Sequence, residues 1–310
     1  MLAFQVEKTA TDCAARAGRL RLRDVAIETP AFMPVGTQGT VKALSPEELW
    51  AIGYRLILGN AYHLHIRPGE ALIQRAGGLR RFIGWPGAIL TDSGGYQVFS
   101  LQELCKLTEE GVEFRSHVDG DMLRFTPERV VEIQVALGSD VMMALDECPP
   151  YPCDHDAARA AVERTQRWAE RSRDRWQELR EDGEPVGALF GIVQGSTYAD
   201  LRAEAAARIG ALDLPGVAIG GVSVGEPKPL IREITATTAP LLPADRPRYL
   251  MGVGTPLDLI ASVAAGVDLF DCVLPSRLGR NGSAYTSRGR INIKAARWKE
   301  DLGPIDPDCD

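Results

Sequence analysis

The sequence predicts an α/β fold, a closed (β/α)8 barrel, on three observations. Eight short apolar runs recur along the chain, amphipathic stretches with helix-start signals separate several of them, and polar residues collect where the runs finish. Short runs that are apolar on both faces are what parallel strands look like when helices cover the sheet. A chain of 310 residues suits one large barrel or two ordinary domains. An open, doubly wound sheet is the competing arrangement.

The elements follow in order. Residues 1–30 differ from the rest: around Phe4 and again from Gly18 to Ile27, apolar and polar residues alternate with period two. That pattern predicts antiparallel strands, here a cap on the bottom of the barrel. The barrel unit is expected over 31–300, with strands at 31–37, 54–60, 87–92, 140–146, 187–194, 216–221, 249–254 and 267–271. Ser45-Pro-Glu-Glu48 and Thr126-Pro-Glu-Arg129 each read as a capping residue followed by Pro in the first turn. Residues 156–180 form a long amphipathic helix whose charges make a solvated face. The connection from 95 to 127 is long for a barrel, so an insertion is expected around 96–126, with a hairpin over 111–120.

Composition bounds the function. A net charge of −7 argues against a general nucleic-acid coat protein but leaves room for a local basic patch. One is present: Arg277, Arg280, Arg288, Arg290, Lys294, Arg297 and Lys299 follow Asp271 with no acid between Asp271 and Lys299. An apolar strand that ends in a carboxylate beside such a stretch suggests an acid working next to a polyanion. The six cysteines have no framework spacing and read as reduced thiols, which implies a cytoplasmic protein. No apolar run of the length a membrane span needs is found.

Barrel chemistry gathers at strand ends. Asn60, Asp92, Asp146, Gln194, Gly221 and Asp271 finish successive runs; His63 and Cys148 lie just beyond two of them, and Met251 lies within the seventh. Several carboxylates without matching His or Cys point to acid–base and nucleophilic work rather than zinc hydrolysis. Two carboxylates can cleave a glycosidic bond, one attacking the anomeric carbon and the other handling the leaving group's proton. Asp146, Gln194 and the Gly221 amide could instead read a purine edge, since a carboxylate accepts from N–H groups and an amide donates to a carbonyl. His63 and His65 alternate, so in an extended segment they would face opposite ways and form no metal pair. Gly220-Gly221 and Gly252-Val-Gly254 are not complete phosphate-binding fingerprints.

At these residues the chain resembles the bacterial tRNA-guanine transglycosylases, essentially from Phe4 to the last residue. The matching runs are Leu58-Gly-Asn-Ala-Tyr-His-Leu64, Thr91-Asp-Ser-Gly-Gly-Tyr-Gln-Val-Phe-Ser100, Asp146-Glu-Cys-Pro149, Gly191-Ile-Val-Gln-Gly195, Ile219-Gly-Gly-Val-Ser-Val-Gly-Glu226, Tyr249-Leu-Met-Gly-Val-Gly254 and Phe270-Asp-Cys-Val-Leu-Pro-Ser-Arg277. The resemblance implies exchange of the wobble guanine of tRNAs with GUN anticodons for a deazaguanine, in queuosine biosynthesis. It implies that Asp271 is the nucleophile and Asp92 the general acid/base. Asp146, Gln194 and Gly221 would read the base, Tyr96 and Met251 would sandwich it, and Ser93 and Asn60 would lie near pocket and ribose. Arg277 and Arg280 would contact the uridines of a U-G-U anticodon loop. Cys148 and Val224 match the bacterial branch, which uses 7-aminomethyl-7-deazaguanine (preQ1); Val224 would leave no room for the cyclopentenediol of queuine.

The resemblance also implies a structural zinc and a homodimer. The family's zinc subdomain would begin at 301–310, where Cys309 is the one matching ligand in this sequence, so the site is expected to be incomplete. Weaker tRNA binding and lower stability than in a longer relative are expected on that ground. Two other readings are a non-catalytic partner subunit on the same barrel and a small-molecule barrel enzyme. The joint presence of Asp92, Asp146 and Asp271 disfavours the first, and Arg277 and Arg280 disfavour the second.

Overall fold

The computed structural model describes residues 2–96, 105–116, 118 and 120–309. Eight parallel strands close a barrel: β4 (Ala31–Gly36), β5 (Leu56–Asn60), β6 (Ala88–Asp92), β10 (Val141–Met143), β11 (Ala188–Val193), β12 (Gly216–Ile219), β13 (Arg248–Leu250) and β14 (Leu269–Cys272). β14 pairs with β4, which completes the ring. Helices between the strands cover its outside. Ser45 caps the helix Pro46–Ile52 in a reciprocal capping box with Glu48, and Thr126 and Thr255 cap the helices Pro127–Leu137 and Pro256–Ala264. Asp154 caps the long helix His155–Glu181. Among the described residues no helix is long and apolar enough to cross a membrane.

Before the barrel, β1 (Leu2–Thr9), β2 (Arg16–Leu22) and β3 (Val25–Thr29) form an antiparallel meander. Its apolar face, Leu20, Leu22, Val25 and Ile27, joins the barrel interior of Met33, Leu58, Leu90, Phe190 and Tyr249 in one cluster. Ion pairs pin it there: Arg16 donates to Asp268, and Arg23 lies 2.7 Å from Asp140. Asp140 and Asp268 immediately precede β10 and β14, so the meander closes the end where strands begin. The opposite end stays available for ligands.

The insertion is a three-stranded antiparallel sheet of β7 (Cys105–Leu107), β8 (Val112–Arg115) and β9 (Met122–Phe125). Phe125 packs edge-on against Phe114 and against Tyr62, which lies just beyond β5, and Phe114 meets Tyr62 at a tilt. The expected hairpin over 111–120 contains only its first strand, β8; the partner β9 lies beyond it, and both belong to a larger sheet. His117 and Asp119 lie outside the described residues, as do residues 97–104.

Several strands are shorter than the apolar runs suggest. β10 stops at Met143; the Ala144 N–H still donates to the Phe190 carbonyl at 3.0 Å, and Leu145 stays buried beyond the ladder. An apolar run reports burial, not pairing, and here the chain leaves the sheet while still inside the protein. β13 likewise ends at Leu250, before Met251. The extended reading of His63 and His65 is also corrected: both sit in the helix Ala61–Ile66. They still diverge, because residues two apart do not share a helix face. His65 pairs with Glu70 at 2.7 Å.

Candidate active site

The mouth is built from strand ends. Asn60 is both the last residue of β5 and the cap of the next helix: its Oδ1 accepts the His63 N–H at 3.1 Å. That bond settles the orientation of the amide, so the Nδ2 group donates to Asp92 Oδ2 at 2.6 Å. The Ala61 N–H donates to Asp92 Oδ1 at 2.9 Å. Asn60 and Asp92 are register partners on β5 and β6, which is why the two side chains meet.

Asp271 is held from the other side. The Tyr249 hydroxyl donates to its Oδ1 at 2.6 Å, and the Gly252 N–H donates to the same oxygen at 2.8 Å. Both donors come from β13 and the turn after it. Burial pushes the Asp271 carboxyl above the usual carboxylate range, and these two donors oppose that rise. Tyr249 is itself fully buried, and its phenol is pushed well above its ordinary value, first by burial, then by Asp271 and also by the charge of Asp92. One phenol therefore feels both carboxylates. Tyr249→Phe is expected to move the acid limb of the pH–rate profile to higher pH and to slow the reaction about tenfold, the scale of a hydrogen bond to a charged group. An unmoved acid limb in steady-state rates would count against this role.

Asp146 lies three residues past β10 and is 6% exposed. Its Oδ2 accepts from Gln194 Nε2 at 2.6 Å and its Oδ1 from Ser93 Oγ at 3.4 Å. Burial, with a smaller contribution from the Glu147 charge, raises its pKa to about 6 against the pull of Gln194 and Ser93. Gly220 stands beside this pair: a Cβ there would lie 3.0 Å from Gln194 Nε2 and 3.7 Å from Asp146 Oδ2. Gly221 has φ 61°, and a Cβ on it would fall 2.2 Å from Gln194 Oε1. Glycine is thus required there by both backbone and space. The Cys148 thiol is pushed up to about 12 by burial and by the Asp146 charge, so it is neutral.

The remaining predicted positions are less enclosed. Met251 packs on the barrel interior cluster just past β13. Val224 is half-buried in the loop after β12, where Glu226 accepts the N–H groups of Ser223 and Val224. Tyr96 is 53% exposed and borders the residues outside the described set. Arg277 and Arg280 are exposed, one helical turn apart on the helix Leu274–Arg280, which starts directly after β14. Cys309 is exposed, and no three His, Cys, Asp or Glu among the described residues are grouped as a metal needs. Among the described residues, therefore, no set of side chains fits a zinc ion.

Sequence reasoning missed Tyr249, Glu226 and Arg202. Tyr249 was legible by parity: in the apolar run 249–254 it stands two residues before Met251, and in an extended run it would face the same way.

A parallel barrel that sets two separately clamped carboxylates and a buried carboxylate–amide pair on its C-terminal rim belongs with the barrel enzymes of glycosidic-bond chemistry. The model of the family Queuine tRNA-ribosyltransferase matches residues 12–310. The Queuine tRNA-ribosyltransferase of Desulforudis audaxviator is 56% identical over 306 residues, covering 99% of this chain and 81% of that relative. Those of Symbiobacterium thermophilum (56% identical; 96% of this chain, 73% of the relative) and Shouchella clausii (52%; 100% and 80%) agree. The chain belongs to the queuine tRNA-ribosyltransferase family.

Proposed function

We propose that this chain exchanges the wobble guanine of tRNAs with GUN anticodons for preQ1 through a covalent ribosyl ester on Asp271. Family membership supplies the coarser part: a tRNA-guanine pentosyltransferase of queuosine biosynthesis. The observation that carries the finer part is the pair of clamped carboxylates, Asp92 and Asp271, on one rim with the Tyr249 phenol in the field of both.

In this reading Asp271 Oδ1 is held by its two donors, which leaves Oδ2 to attack the anomeric carbon. The glycosidic electron pair leaves with the guanine, which takes a proton from Asp92. The incoming base gives a proton to Asp92 and displaces the Asp271 carboxylate, restoring the enzyme. Asp146 accepts the ring and amino N–H groups of the base, while Gln194 and the Gly221 N–H donate to its oxo group. Met251 lies against one ring face and Tyr96 against the other; Ser93 and Asn60 orient their aspartates. The test is incorporation of labelled guanine into an anticodon stem-loop with a U-G-U sequence. Exchange into that RNA and none into a U-A-U counterpart is the expected result; no exchange into either contradicts the proposal.

Val224 narrows the base. A β-branched side chain beside the 7-substituent admits an aminomethyl group and excludes a cyclopentenediol, so preQ1 should be inserted far more readily than queuine. Comparable use of the two by the wild type would contradict this.

Arg277 and Arg280 take the phosphates and flanking uridines. The double variant R277A/R280A should bind the stem-loop more weakly, and its log-affinity should fall less steeply with log salt, by ~0.7 per lost phosphate contact on single-stranded RNA. A parallel salt dependence in wild type and variant would remove both residues from the interface. A second copy of the chain belongs to the same proposal, since Trp50, Ile52 and Phe82 are exposed apolar side chains that it would cover.

A further inference from the structure

The helix Ala199–Gly210 carries a cation in its buried stripe: Arg202 lies among Leu201, Ala205, Ala206 and Ile209 and is 2% exposed. A guanidinium taken out of water is normally paired with a carboxylate. The recorded hydrogen bonds of Arg202 go instead to four backbone carbonyls. Its Nε donates to Ser196 at 2.9 Å, its Nη1 to Val193 at 3.0 Å and Gly220 at 2.7 Å, and its Nη2 to Gly221 at 3.0 Å. Burial lowers its pKa to about 10, opposed by Cys148 and Glu226, so it is a cation at neutral pH.

Three of those carbonyls, Val193, Gly220 and Gly221, border the base-reading groups. The Gly220–Gly221 peptide is trans, so its C=O and N–H point in opposite directions. With the Gly220 oxygen held by Arg202, the Gly221 N–H points away from the buried cation. That N–H is the donor given above to the oxo group of the base. The closeness of Gly220 to Gln194 and Asp146 puts the peptide beside the other two base readers.

We propose that Arg202 is a positioning residue for the leaving base: it fixes and polarises the Gly220–Gly221 peptide, so that negative charge gathering on the purine oxo group is met by an N–H backed by a buried cation. The inference rests on the base-exchange reading of the site. Hydrogen bonds in series strengthen one another, and a donor fixed before the reaction favours charge that develops during it. No bond to Arg202 forms or breaks. The glycosidic electron pair goes to the purine, and the proton that neutralises it comes from Asp92.

The test is single-turnover formation of the RNA–protein adduct from two stem-loops. One carries guanine at the wobble position; the other carries 2-aminopurine, which keeps the exocyclic amine but lacks the oxo group. Wild type, Arg202→Met and Arg202→Lys are compared, each first checked for a cooperative thermal melt. Arg202→Met should slow the guanine RNA by roughly tenfold or more and the 2-aminopurine RNA by less than about threefold, shrinking the preference for guanine. Arg202→Lys, which keeps the charge but cannot reach all four carbonyls, should fall between, and it decides the matter if Arg202→Met does not fold. Equal slowing on both RNAs, or an unchanged guanine preference in a folded variant, overturns the proposal. If the wild type forms no adduct with guanine RNA, the assigned reaction itself fails and this inference falls with it.

Discussion

Replacing Asp271 by asparagine will lower guanine exchange by on the order of 10⁴-fold or more while leaving the fold intact. The reason lies in the two donors on Oδ1. An asparagine carbonyl can accept the same bonds from the Tyr249 hydroxyl and the Gly252 N–H, so the side chain keeps its place. The other arm becomes an amide nitrogen, which cannot form the ester. The change therefore removes nucleophilicity and little else. Affinity for the stem-loop should stay within about threefold of wild type, because phosphate contacts dominate RNA binding. Retention of more than about a tenth of the wild-type rate would show that another group attacks the ribose, or that no covalent step exists.

Asp146 carries the second large effect. Asp146→Asn replaces an acceptor-only group by one that presents a donor to the base's own N–H groups. A site built around such hydrogen bonds loses about 10⁴-fold when a buried polar partner is mismatched. The effect should be mostly on KM for the base. It also has a pH signature, because the empty site holds the Asp146 carboxyl at about 6. Below pH 6 the protonated carboxyl loses an acceptor, so wild-type affinity for the base should fall as pH drops, at most tenfold per unit. Asp146→Asn should abolish that limb. Folding stability moves the opposite way. A carboxyl raised in the folded state from an ordinary 3.8 to about 6 binds its proton more tightly when folded. Its contribution is full below about pH 4 and lost as pH rises through 6, roughly 3 kcal/mol at 1.36 kcal/mol per unit. Asp146→Asn should remove that dependence from the melting curves. A KM for the base that stays flat between pH 5 and 8 would contradict the account.

Much of this site was legible in the residue order. Parallel strands put their last residues on one rim, so the polar endings Asn60, Asp92, Gln194 and Asp271 mark the mouth in the sequence itself. Period-two alternation from Gly18 to Ile27 likewise marked the antiparallel strands that cap the barrel bottom. What the sequence hid were effects of three-dimensional enclosure. Asp146 sits past the end of its strand, and its raised pKa depends on burial that no local pattern reports. Asn60 reads as the end of a strand, and only the structure shows that it caps the next helix and that its amide grips Asp92. Arg202 escaped notice because its partners are carbonyls of two separate strand ends. Carbonyls are anonymous in sequence.

The most direct test of two aspartates serving one ribose–purine linkage is to trap the intermediate and locate it. Wild-type protein is mixed with the U-G-U stem-loop, denatured, digested and mapped by mass spectrometry. The account predicts ribosylated RNA on the peptide containing Asp271, an adduct lost in Asp271→Asn and discharged by added preQ1. An adduct on any other residue, or one that persists in Asp271→Asn, would contradict it.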